Sequence, residues 1–264
     1  MRKTLRSLSL AILAILVGTV PVCASTKGGF RVEILVNGAP LQEYWLNGTT
    51  YIEALKGQEY AIRLTNPLPV RAVAALSVDG LNTIDAKHTD AWTASKWVLG
   101  PYETITIQGW QTGSGEARKF YFTTEGSSYG AWLGKTGNLG VISAVFFKEK
   151  IRVPEYRVMR KDGREMGAAP APAASAAHKE SQEESAAKDD LAATGIGDRF
   201  EHPVERVYLE LERQPCASFS LRYEFRPVLT RLGILPHPRP VFDPLERRRR
   251  AHGFDDMTFC PDPR

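Results

Sequence analysis

Between residues 30 and 148 the apolar side chains recur every second position, and a turn signal interrupts them every ten residues or so. Val32, Ile34 and Val36 share one face of residues 31–36, Tyr60, Ile62 and Leu64 share one face of 59–65, and Ile105 and Ile107 alternate with threonines. A period of two places successive side chains on opposite faces of a strand, so one face is buried and the other is wet. The punctuation is Asn37-Gly38, Asn47-Gly48, Lys56-Gly57, Asn66-Pro67, Asp79-Gly80, Gly100-Pro101 and Gly113-Ser114-Gly115. These pairs either reach positive φ or fix φ for a tight turn. About eight short strands in roughly 120 residues predict a mostly β chain, an antiparallel β-sandwich or jelly roll. Residues 41–54 read as two short strands about Asn47-Gly48. The strongest core segment is 70–85, an apolar run that breaks at Asp79-Gly80.

The first residues are of another kind. Arg2, Lys3 and Arg6 precede an apolar run over 8–17, and Val22-Cys23-Ala24 follows. That order is a signal peptide over 1–24 with cleavage after Ala24, and the apolar run is too short for an ordinary membrane-spanning helix. Val20-Pro21-Val22 makes a poor lipobox, so Cys23 is expected to leave with the signal. The chain has 34 basic and 30 acidic side chains, and losing three basic ones leaves a net charge of +1. Basicity is therefore no argument for nucleic acid or for a membrane surface. No transmembrane span is expected after cleavage, and the location is periplasmic or secreted.

Export also bears on the cysteines. Cys216 and Cys260 remain after cleavage, an even pair in an oxidising compartment, so a disulfide between them is expected. It would close a loop of about 45 residues, for a stabilisation on the order of 4 kcal/mol.

Beyond residue 160 the composition changes. A β-sandwich domain over 28–160 is followed by an Ala/Pro/Ser/Glu-rich stretch over 161–194, expected to be a flexible linker because it can bury little. Residues 195–235 read as a small ββα module, with strands at 204–211 and 218–224 and a helical turn over 227–232 ended by Gly233. Residues 236–264 are a tail rich in proline and arginine. Its run Arg247–Arg250 is flanked by Glu246, Asp255 and Asp256, which partly cancel its field.

The segment Val78-Asp79-Gly80-Leu81-Asn82-Thr83-Ile84-Asp85, with Pro101-Tyr102-Glu103 and Ile107-Gln108-Gly109-Trp110 after it, resembles a family of exported bacterial proteins of uncharacterised activity. The resemblance runs over 30–148, and more loosely over 195–235. It implies export and brings no activity, cofactor or catalytic residue.

The candidate site residues are Asp79, Asn82, Asp85, His88 and Trp92. Clustered side-chain oxygens in a turn are what a calcium ion needs, but the spacing is not that of an EF-hand. The plainer reading is a hairpin whose Asp-Gly makes the turn and whose Asn caps the backbone. Gly134-Lys135-Thr136 ends like a phosphate loop, yet Tyr129 stands where the first glycine is required. The five histidines show no metal-ligand spacing, and no G-x-S-x-G elbow is present. No cofactor or metal is expected. Trp45, Trp92, Trp97, Trp110 and Trp132 either fill the sandwich or stack on a ligand. The expectation is a non-catalytic binding or structural protein of the envelope or exterior. Its partner would be an envelope protein or a glycan. A carbohydrate-binding module is the first alternative and a hydrolase with a site assembled in space is the second.

Overall fold

The computed structural model describes residues 25–150, 191–237 and 248–249. The signal segment 1–24, most of the expected linker, Cys260 and nearly all of the tail lie outside the described residues. In chain order the strands are β1 (Ser25–Lys27), β2 (Phe30–Val36), β3 (Ala39–Pro40), β4 (Glu43–Leu46), β5 (Thr49–Glu53), β6 (Glu59–Thr65), β7 (Ala72–Val78) and β8 (Leu81–Asn82). There follow β9 (Trp97–Leu99), β10 (Thr104–Ile107), β11 (Gly109–Gln111), β12 (Glu116–Thr124), β13 (Val141–Lys148), β14 (Ala192–Glu201) and β15 (Ala217–Glu224). The helices α1 (Tyr129–Trp132) and α2 (Arg226–Arg231) are short.

These strands make two sheets, a mostly β sandwich with a small helix at its C-terminal end. One sheet runs β1-β2-β6-β12-β11, with β3 on β2, β10 on β6 and β14 on β12. The other runs β4-β5-β15-β13-β7-β8, with β9 on β7. The inner faces meet in one apolar core. Phe30 of the first sheet lies 4.7 Å, centroid to centroid, from Phe146 of the second, and Phe122 lies 5.5 Å from Tyr223. The turns are as the dipeptides require. Asn37-Gly38, Asn47-Gly48 and Asp79-Gly80 have positive φ at both positions, which matches the type I′ geometry that suits the twist of the flanking strands. In β15 the alternation is complete, with Ala217, Phe219, Leu221 and Tyr223 buried and the residues between them outside. By contrast β7 is buried on both faces up to Leu76, because the excursion between β8 and β9 folds back over its outer face.

The C-terminal segment departs from its expected form. Strand, strand and helix are all present, but β14 and β15 do not pair with each other. β14 adds to β12 in one sheet, and β15 inserts between β5 and β13 in the other. They complete the sandwich and do not form a separate hairpin. β15 also runs parallel to β5, the one parallel pairing among the described strands. The first of the two strands starts at Ala192, inside the expected linker, and the alternating stretch at 204–211 forms only a bridge from Leu211 to Glu149. The reason is packing. A Cβ on Gly195 would come within 2.2 Å of the Tyr121 ring, so this strand needs small residues to lie flat on β12. Val207 and Tyr208 meanwhile stand in solvent.

The expected disulfide would join Cys216 to Cys260, which lies outside the described residues. Cys216 stands just before β15, its Sγ–H pointing to the Phe146 carbonyl at 3.2 Å. Burial pushes that thiol up, so it is a poor nucleophile at neutral pH.

A chain ending at Lys150 is therefore expected not to fold. Phe219, Leu221 and Tyr223 each contribute roughly 1.5–3 kcal/mol of burial, and their loss also uncovers both neighbouring strands, a total comparable with the whole stability of about 5–15 kcal/mol. Thermal unfolding followed by circular dichroism checks this. A cooperative melt of the truncated chain near the parent midpoint would show that the first 150 residues are self-sufficient.

Candidate functional site

Asp79 holds a left-handed conformation at φ 53°, which carries its side chain inward from the β7–β8 turn. It is only 2% exposed. Gly140 N–H donates to Oδ1 at 2.8 Å and Thr194 N–H donates to Oδ2 at 2.8 Å. Tyr223 donates its hydroxyl to Oδ1 in a short bond. Thr194 Oγ1 lies 2.7 Å from the hydroxyls of both Tyr60 and Tyr223. One proton per hydroxyl then sets every direction. Tyr223 has given its proton to Asp79, so Thr194 donates to Tyr223 and Tyr60 donates to Thr194. Burial pushes the Asp79 carboxyl from 3.8 up to about 6, although its hydrogen bonds favour the anion. Burial and the Asp79 charge push both tyrosine hydroxyls well up. This network is sealed from solvent. It joins β6, β7, β13, β14 and β15, and it leaves no lone pair facing a substrate.

The other expected site residues lie in the excursion above β7. Asn82 is buried, accepting from Ile84 N–H at 2.8 Å and donating to the Ser95 carbonyl at 2.8 Å. Asp85 accepts from Lys87 N–H at 3.1 Å and from the Ser95 hydroxyl at 2.9 Å. His88 donates Nδ1–H to the Gly80 carbonyl at 3.0 Å, which leaves Nε2 as the acceptor. Asp90 caps the turn that follows, accepting from the backbone N–H groups of Trp92 and Thr93 at 2.9 and 3.0 Å. Trp92 packs edge-on against Phe147, with ring centroids 5.4 Å apart. Asn82 and His88 line a cleft of about 290 Å³ between this excursion and the outer face of β7 and β13, with Ser77, Lys87, Asn138 and Ser143. Asp79, Asp85 and Trp92 are not part of its wall. Each carboxylate here is bound to its own loop, and no group of three or more His, Cys, Asp or Glu among the described residues could hold a metal ion. Lys135, from the sequence resembling a phosphate loop, donates to the Ala86 carbonyl at 3.0 Å and braces the same excursion.

The tryptophans divide sharply. Trp110 is buried, its Nε1–H donating to the Gly195 carbonyl at 3.1 Å, and Trp97 donates to Thr83 Oγ1 at 2.9 Å. Trp132 is exposed and stacks on Tyr129 with centroids 5.8 Å apart. Trp45 on β4 is 75% exposed and stands over a second opening. β5 pairs only with residues 221–224 of β15, so the first half of β15 has no neighbour on that side. The notch, about 540 Å³, is bounded by β1, β4, the start of β5 and the first half of β15. Lys27, Glu43, Thr50, Ser218 and Ser220 supply its polar lining, with Trp45 as its exposed aromatic side chain and the buried Phe219 behind it. Sequence reasoning named Trp45 only as one of five tryptophans and picked out Trp92, which is also exposed; it did not name Thr50 or the serines. The only available signal was a tryptophan in a short strand beside a type I′ turn.

No protein-family model, no curated protein and no solved structure matches this chain.

The raised Asp79 pKa has a definite sign. A carboxyl whose folded pKa exceeds its unfolded value favours the fold most below the unfolded value, and that contribution is lost as pH rises through about 6. The parent chain is therefore expected to gain about 1–2 kcal/mol from this group between pH 7.5 and pH 5. Asp79→Asn should flatten that slope and still lower stability by roughly 1–3 kcal/mol, because an amide nitrogen would face a backbone N–H donor. Urea unfolding of both chains at the two pH values reads this. Parallel slopes would remove Asp79 as the titrating group.

Proposed function

We propose that the chain is an exported, non-catalytic binding protein of the cell envelope or exterior, and that its ligand is a glycan held in the Trp45 notch. The observation that carries the reading is an indole face exposed over a polar groove. A sugar ring offers C–H bonds on its faces and hydroxyls around its rim. Such a ligand suits a flat aromatic surface beside a few convergent polar groups. Thr50, Ser218 and Ser220 can donate or accept, and Lys27 donates.

The non-catalytic part is supported by how the acids are used. The carboxyl most displaced from its ordinary value, Asp79, is consumed by three donors in a closed interior. Asp85 and Asp90 cap turns. The export part is supported by the charged start and apolar run of the first residues. No helix among the described residues is long and apolar enough to cross a membrane.

Affinity electrophoresis through gels containing soluble envelope or plant polysaccharides tests the reading. The parent chain is expected to be retarded by at least one of them. Trp45→Ala should weaken that binding at least tenfold, about 1.4 kcal/mol, with an unchanged melting temperature because the side chain is exposed. Trp132→Ala should bind as the parent does. Equal retardation of the parent and Trp45→Ala, or none of the parent, would overturn the assignment.

A further inference from the structure

Ser25 is the residue that cleavage after Ala24 would leave at the N-terminus. In the structure it is already held. Glu43 Oε1 accepts from Ser25 N–H at 2.9 Å, and Oε2 accepts from the Ser25 hydroxyl at 2.7 Å. Ser25 is placed by the ladder of β1 on β2, where it lies opposite Val32. Glu43 is placed by β4 on β5, opposite Ile52. The contact therefore ties the edge of one sheet to the edge of the other, at the open end of the sandwich.

The charges around Glu43 are unbalanced. Burial pushes its carboxyl up despite both hydrogen bonds, and the negative charge of Glu33 on β2 adds to that. Glu33 has its own partner, Arg63, at 3.6 Å. Lys27, in the same notch, sits over the Phe219 ring at 5.9 Å. Glu43 thus receives an amide N–H and a hydroxyl, and no Lys, Arg or His among the described residues forms an ion pair with it. Hydrolysis of the Ala24–Ser25 bond would change this. Water adds across the peptide bond, Ala24 leaves with a carboxylate, and Ser25 keeps an amine that takes up a proton at neutral pH.

We infer that Glu43 is the seat of the Ser25 α-ammonium, so that removal of the first 24 residues turns an amide-to-carboxylate hydrogen bond into an ion pair that latches the two sheet edges together. The inference rests on the signal-peptide reading and is independent of any glycan in the notch. The ammonium adds a full positive charge to a donor already in place, and a half-buried site screens the added attraction less than open solvent does.

The test uses the chain beginning at Ser25, with a free amine or with the amine acetylated. Acetylation keeps an N–H donor at the same place and removes only the charge. At pH 6.5 the free amine is expected to melt about 2–4 °C above the acetylated form. In Glu43→Gln that gap should vanish. Equal melting of the free and acetylated parent, or a gap that persists in Glu43→Gln, overturns the seat. Separately, the full chain is expressed with its own first 24 residues and the exported product is weighed intact. A mass starting at Ser25 supports the processing step, and any other start overturns it whatever the melts show.

Discussion

A single carboxylate in a turn ties together three segments that lie far apart in the sequence. Asp79 reaches Gly140, Thr194 and Tyr223, so one side chain binds the start of β13, the strand β14 and the strand β15. Burying a charge costs several kcal/mol unless donors surround it, and here they come from three separate segments. The arrangement is selective for that reason. Until β14 and β15 are both in place, Asp79 lacks two of its three donors and is better left in water. Gly80 beside it is equally constrained, since its φ of 72° and the Asn138 side chain 2.7 Å from a would-be Cβ leave room for no other residue.

This network explains which parts of the fold were legible. The hairpins at Asn37-Gly38, Asn47-Gly48 and Asp79-Gly80 are local, because positive φ at two successive positions is a property of those residues and needs no distant partner. The alternation in β2, β6 and β15 is likewise local. β14 was illegible because its sequence, Ala-Ala-Thr-Gly-Ile-Gly, is chosen by the ring of Tyr121 on another strand. The stretch 204–211 misled in the opposite sense. It alternates well, but only Leu211 at its end forms a bridge, to Glu149 just beyond β13.

The site residues divide on the same grounds. Asp79-Gly80 reads as a hairpin turn and forms one, but the buried network around Asp79 was not legible, because nothing near it in sequence announces Tyr60, Thr194 or Tyr223. Asp85 and Asp90 are polar residues in a polar segment, which makes such a segment look like a ligand site. In the structure their oxygens are spent on backbone N–H groups within three positions and on the hydroxyls of Ser95 and Thr93. Trp92 stands among them and is drawn onto Phe147 for the same reason. Trp45 lies opposite Thr50, the residue at which the pairing of β5 with β15 begins, so its place beside the unpaired first half of β15 is a matter of register between strands that no local pattern encodes.

The order of assembly follows from the topology. β15 sits between β5 and β13, with β5 in the first third of the described chain and β13 before residue 150. The second sheet cannot close until the residues through Glu224 are available, and pairings this distant in sequence form slowly because loop closure precedes their reward. A chain built this way stays open until the residues through Glu224 are present, which is compatible with the export proposed above. Its N-terminal strand is last in a different sense. Under the proposed processing, Ser25 would present a charged amine to Glu43 only after the segment ahead of it had gone. The assembly would then be completed from opposite ends of the chain, β15 closing the core from one side and Ser25 closing the sheet edge from the other.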